Sequence, residues 1–536
     1  MARKQVIAAS TAASLFALAL ATPVVAQAKP PKGVWAKVQG VSSSELPQVQ
    51  PTPNIGVKTV ALISSGDRAN NGYVFGGIPD GMGAKLSDKG NEFTVYTNHE
   101  IAAGLGVPRL HGANGAYVSA LTFNKLTGEA VAGKDLINKV NYFDYNTKQY
   151  AAAPVAPSGA LANTHTLAFS RFCSGTLTDP GMLISGEGSK QVGFDGQLWL
   201  AGEESGDEGR VFGVDIATGE AWQLPKLGLW SVENAIPLKT ESNTTVVVGG
   251  EDATPGELWI YVGQKSKTGS AVEKAGLTNG TNYVLSVPGI STDKQFRTTH
   301  GKGKPVAAQL SSPIDWTLNG KAQNAAAVAQ GGLGFTRVED GAWDPNNPNT
   351  FYFLTTEGGD TSVAPFAAST VTRDGGGLWQ LKFKDVSNPA AGMTLTLLLD
   401  GSEAPYLSKP DNMTIDSSGN LLIQEDPGNN ARNARIVAYR LKDGKMAVLT
   451  HYDVAQYGHD GEYSTTRTIG VGSRAADEET SGIITADAIY GKGTFIFNSQ
   501  SHDRGTLLSS MVKDGVIEGG QILLLKVSDW NKVYGS

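Results

Sequence analysis

Six times along this chain an apolar run meets an acid, an amide or an imidazole, and a turn follows. Phe93–Tyr96 leads to Asn98, His99 and Glu100, and Leu198–Ala201 leads to Glu203 and Glu204. Val246–Val248 leads to Glu251 and Asp252, and Phe351–Leu354 to Glu357. Leu421–Ile423 leads to Glu425 and Asp426, and Phe495–Phe497 to Gln500 and His502. Short β-branched and aromatic runs bounded by Gly, Asn, Asp and Pro clusters are strand signals, and no long helical period competes with them beyond the N-terminus. A strand-turn-strand unit that recurs with polar ends is the pattern of radial blades. The expected fold is therefore all-β, a single β-propeller of about six blades. The repeats are uneven, so long inter-strand insertions are expected over 151–162, 174–194, 265–331 and 455–476. The third carries Asn324–Gln330, a stretch suited to a short helix.

The N-terminus reads differently. Arg3 and Lys4 precede an apolar stretch from Ala12 to Ala21, and Ala26-Gln27-Ala28 offers small residues for cleavage, so residues 1–28 read as a secretory signal peptide. Residues 29–56, rich in Pro, Ser, Gln and Val, read as a linker or wrapped arm, and 57–536 as the propeller domain. No stretch is long enough to predict a membrane span. The expected location is periplasmic or secreted, and the expected state a monomer. The formal charge is −7 and loses two further cations with the leader, which argues against a nucleic-acid partner and suits a site for cations. Cys173 is the one cysteine, so it cannot form an internal bridge. It reads either as a small buried hydrophobe or as a thiolate ligand.

A second series of polar residues lies upstream of the first. In an antiparallel hairpin the start of one strand lies beside the end of the next. Asp411 should then meet Glu425 and Asp426, with Glu339 beside Glu357, Glu233 beside Glu251, Asp80 beside Glu100 and Asp487 beside His502. If the hairpins are blades around one axis, many carboxylates converge, and like charges that close raise one another's pKa. Hard multivalent cations with oxygen ligands relieve that repulsion. Acids and amides at strand ends also serve as plain turn formers, which is the competing account.

At these residues the sequence resembles the PhoX-type alkaline phosphatases, exported β-propeller enzymes. The resemblance rests on Asn98-His99-Glu100, Gly202-Glu203-Glu204, Arg337-Val338-Glu339 and Pro410-Asp411-Asn412, with Glu233-Asn234-Ala235 and Gly250-Glu251-Asp252 in the expected order. Phe172-Cys173-Ser174-Gly175 is similar to the family's cysteine element. The resemblance implies a cluster of iron and calcium ions held by carboxylates and a cysteine thiolate. Cys173, Glu233, Glu339 and Asp411 would be ligands with Glu203 and Glu204 nearby, and Arg337 would hold the phosphate. It implies hydrolysis of small phosphate-ester substrates outside the cytoplasm. Two other readings stay open. One is a calcium-only propeller with lactonase- or phytase-like hydrolysis, for Pro410–Asn420 also resembles gluconolactonase-like proteins. The other is a non-catalytic, calcium-binding envelope propeller.

Overall fold

The tightest local determinant of the fold is a repeated aspartate turn. Asp416 Oδ1 accepts from the Ser418 and Asn420 amides at 2.9 and 2.8 Å, while Gly419 takes a φ of 80°. Asp215 and Asp144 fold their own turns the same way, accepting from the Ala217 and Asn146 amides at 3.0 and 2.8 Å. A short side chain that bonds its own backbone two residues on reverses the chain without help from the core. The runs that follow or precede these turns are buried along their length, as in Val211–Asp215 and Asn420–Glu425.

These hairpins assemble, in a computed structural model, into six blades, antiparallel except where Glu220–Gln223 runs parallel to Lys139–Asp144 in blade 2; it describes residues 33–158, 166–361, 373–428, 433–457, 478–502 and 509–535. The leader expected over 1–28 and most of the insertion expected over 455–476 lie outside these residues. The inner strands are, in order, Pro79–Leu86, Phe172–Leu177, Val232–Leu238, Val338–Trp343, Pro410–Ile415 and Glu478–Thr485. Each touches the next, and the last touches the first, so they close a ring around one axis. Blade 6 takes its outer strand, Val57–Ser64, from the start of the chain, where it pairs with Gly519–Val527 near the end. Ahead of it, Gly40 donates to the Ala61 carbonyl and Val49–Pro51 pairs with Lys445–Tyr452, so the arm covers the outer edges of blades 6 and 5. Covering edges in this way removes unpaired strand groups from solvent.

Apolar packing follows the same order. Six clusters of buried side chains each fill the space between two successive blades, such as Trp199 and Phe212 of blade 2 against Tyr96 and Val118 of blade 1. Blades 3 and 4 are additionally fused into one nine-stranded sheet by Val306–Leu310, which pairs with Thr281–Ser286 on one side and Met393–Leu399 on the other. This strand lies in the insertion expected over 265–331, whose helix runs Gly320–Ala329 and starts earlier than Asn324 because Asn319 caps it through the Ala322 amide.

Two expectations need correction. Ser174–Leu177 is not inserted loop but continues the inner strand that carries Cys173. Asp487 does not face His502; it opens a short helix, Asp487–Tyr490, and the strand that faces Ser501 begins at Glu478. The segment Glu478–Ser481 is polar throughout, so it carries no apolar alternation to announce a strand.

Candidate metal centre

The second residues of the six inner strands are Asp80, Cys173, Glu233, Glu339, Asp411 and Glu479. All six are buried, five being acids and the sixth a thiol. In blades 1 to 5 the strand pairing slips across this residue, leaving it without a paired partner on the next strand. A bulge of this kind bends the strand and re-aims a side chain. The ends of the second strands add Glu100, Glu204 and Asp426. Together these donors form four groups, each with its ligand atoms within 4.8 Å of one another: Asp80, Glu100 and Cys173; Cys173, Glu204 and Glu233; Glu233, Glu339 and Asp411; Asp411, Asp426 and Glu479. Consecutive groups share a member, so the four form one continuous chain of donors across the opening.

The surroundings hold these donors in place. Asn98 Nδ2 donates to the Cys173 and Ser174 carbonyls at 2.8 and 3.1 Å, and its own Oδ1 accepts from the Trp199 indole at 3.1 Å. His99 lies wholly buried, stacked on Tyr117 with ring centroids 4.2 Å apart and bonded to Gly77 O and Ser119 Oγ. Burial pushes its imidazole down to about 3, so it is a neutral anchor. Blades 1 and 2 come so close that a Cβ on Gly81 would lie 2.1 Å from the Gly175 nitrogen, which explains the glycine beside Asp80; a Cβ on Gly175 would lie 2.5 Å from the Trp199 ring. Gln500 Nε2 spans Asp80 at 3.3 Å and Glu100 at 3.2 Å, and Thr356 donates to Glu339 at 2.6 Å. On the far side of the donors the inner strands enclose an axial cavity of about 970 Å³. A bond of 2.5 Å from Asn412 to Ser174, on opposite blades, crosses the axis between the two.

The electrostatics are those of a cation site. Burial, then the charge of Glu100, raises the Asp80 carboxyl to about 7. Burial combined with neighbouring acids also raises Cys173, Glu204, Glu233, Glu339, Asp411 and Glu479. Asp80 Oδ1 and Glu233 Oε1 are buried without a hydrogen-bond partner. Unpartnered carboxylate oxygens inside a crowd of acids are costly by themselves and become favourable only beside positive charge. The donor set therefore fits multivalent cations with oxygen ligands, and the thiol at the junction of two groups fits a softer metal than calcium.

The residues singled out in the sequence fall in different places. Cys173, Glu204, Glu233, Glu339 and Asp411 meet around this opening. Glu203 does not join them: its two oxygens take the Arg210 Nε and Nη2 at 2.6 and 2.8 Å, in a buried ion pair. Adjacent residues on a strand face opposite sides, so only Glu204 of the pair reaches the opening. Arg337 stands at the rim, gripped by Asp252 at 2.7 and 2.9 Å and lying 3.3 Å from Glu339 and 3.8 Å from Glu357. Asp80, Glu100, Asp426 and Glu479 were not among the ligands expected from the sequence. The repeat register, one donor at the second position of every inner strand, is the signal that picks out Asp80 and Glu479, while Glu100 and Asp426 follow the strands that face the inner ones.

Comparison with known proteins shows the family and the fold. The family model for alkaline phosphatase PhoX matches residues 171–500. The chain belongs to that family. It is a PhoX-family phosphoric monoester hydrolase, and the matched stretch runs from the blade 2 entry into blade 6. Among solved structures, Pseudomonas fluorescens PhoX in complex with vanadate, a transition state analogue, matches with a TM-score of 0.59 at 14% identity, over 91% of this chain and 98% of that one. A putative 6-phosphogluconolactonase from Bacteroides fragilis matches with a TM-score of 0.29 at 12% identity, over 68% of this chain and 82% of that one. The NanB sialidase of Streptococcus pneumoniae matches with a TM-score of 0.34 at 8% identity, over 87% and 69%. No curated protein matches the sequence.

Proposed function

We propose that this PhoX-family member is a metal-dependent phosphomonoesterase that releases phosphate from small organic phosphate esters outside the cytoplasm. The observation that carries the metal dependence is the chain of buried donors at the second position of every inner strand. Cys173, Glu204, Glu233, Glu339 and Asp411, with Asp80, Glu100, Asp426 and Glu479, would hold the ions. The thiol, shared by two groups, favours iron in its neighbourhood, and the all-oxygen groups around Asp411 favour calcium. Bound ions supply charge against the phosphoryl oxygens and lower the pKa of water enough to make a nucleophile at neutral pH.

The chain's own residues do the positioning. Arg337 presents a planar fork of donors suited to phosphate, and Asp252 fixes its orientation through Nε and Nη2, which leaves Nη1 unclaimed by Asp252 and 3.8 Å from Glu357. The acid ring repels an anionic ester until cations fill it, so loading and substrate binding are coupled. Export is supported by the Arg3–Ala28 signal pattern, and the protein is read as acting as a monomer.

The test is hydrolysis of p-nitrophenyl phosphate together with metal analysis of the purified protein. Glu233→Gln is expected to lower both activity and bound metal at least about 100-fold and severalfold, respectively, since it removes a member of two groups. Glu203→Gln is expected to keep its metal and lose only stability. Equal metal content and full activity in Glu233→Gln would rule this reading out.

A further inference from the structure

Arg171 lies two residues before Cys173, at the entry to the inner strand of blade 2. Arg337 and Lys409 occupy the same place before Glu339 and Asp411. All three adopt left-handed backbone, with φ of 48°, 60° and 45°. Residues other than glycine seldom take that conformation, and it persists where surroundings over-determine it. At Arg171 the surroundings are unusually explicit. Its amide donates to the Ile101 carbonyl at 3.0 Å, and its carbonyl accepts from the Glu204 amide at 2.9 Å. Its side chain reaches the same two segments: Nη2 lies 2.6 Å from Glu100 Oε1 and 2.5 Å from Glu204 Oε2, and Nε lies 3.2 Å from the same Glu204 oxygen.

Glu100 and Glu204 belong to two different donor groups, and those groups share Cys173, two residues after Arg171. One residue thus ties three members of the candidate centre: Glu100 through its guanidinium, Glu204 through its guanidinium and its carbonyl, and Cys173 through the chain. We propose that Arg171 is a positioning residue that fixes Glu100 and Glu204 for ion binding on either side of Cys173. The inference rests on the metal-centre reading above. A carboxylate has lone pairs enough to accept from a guanidinium and still face a cation, so the grip and the ions are compatible. Partners that orient metal ligands in this way commonly set affinity by 10- to 100-fold. The side chain is 47% exposed, so its replacement leaves the blade core untouched.

The experiment dialyses the purified holoenzyme against graded chelator and counts retained metal by elemental analysis, with thermal unfolding in metal-saturated buffer as the check on the fold. For Arg171→Gln the chelator concentration that removes half the metal is expected to fall at least about tenfold, with the fold intact. Arg171→Lys, which keeps the charge without the fork, should recover part of the loss. A variant that purifies folded but already short of metal supports the same conclusion. If Arg171→Gln fails to fold, Arg171→Lys carries the test through a shift of at least about threefold. Metal retained as in the wild type by both variants would overturn the role of Arg171 alone. A wild-type protein that holds no metal would overturn the centre itself.

Discussion

A carboxyl whose pKa rises on folding makes stability depend on pH in a definite direction. Asp80 goes up to about 7, chiefly through burial, and Glu233, Glu339, Asp411 and Glu479 rise with it. The folded, metal-free chain therefore binds more protons than the unfolded chain between the ordinary carboxyl range near 4 and about 7. Their contribution is fully present below about 4 and is lost as pH rises through the folded values. Metal-stripped protein should melt higher at pH 5 than at pH 8, and restoring metal should raise the melting temperature most at pH 8. Equal metal effects at both values would contradict the account. At this scale the sequence displayed the acids but not their partners. Glu203 and Glu204 are indistinguishable as letters, and only Arg210 and Arg171 assign one to a buried ion pair and the other to the opening.

At the scale of the element, the hairpin argument works where a blade begins with a recognisable pair of strands. Pro410 does face Glu425 and Pro79 faces His99, which brings Asp411 to Asp426 and Asp80 to Glu100; Val232 faces Glu251, but the Glu251 carboxylate takes the Trp259 indole at 2.9 Å while Glu233 joins Glu204, Glu339 and Asp411. It failed in blade 6 because the polar run from Glu478 hides the strand, while the acid at Asp487 imitates a strand start. Bulges were equally invisible, for they depend on how two strands compete for register rather than on either one alone. The close approach of blades 1 and 2 gives a direct test. Gly81→Ala places a Cβ against the backbone at Gly175, which cannot turn aside as a side chain would. It is expected to cost about 1–3 kcal/mol, read as a lower denaturation midpoint. Retained metal should also drop, because the change parts Asp80 from Cys173, now joined by a bond of 3.0 Å.

The whole molecule repeats one solution six times and uses the shared axis as its site. Period and strand type were legible because each blade must bury both faces against its neighbours, and the six interblade clusters are the result. The closure of blade 6 by Val57–Ser64 and the fusion of blades 3 and 4 were not legible, since both join segments far apart in sequence. The central claim is that the second residues of the inner strands hold metal on the axis. Anomalous diffraction from crystals of the native protein, recorded above and below the iron edge and at long wavelength for calcium, tests it most directly. The account predicts an iron peak beside the Cys173 sulfur and calcium peaks among the Glu339, Asp411 and Glu479 carboxylates. Native crystals with no anomalous peak between those side chains would contradict it.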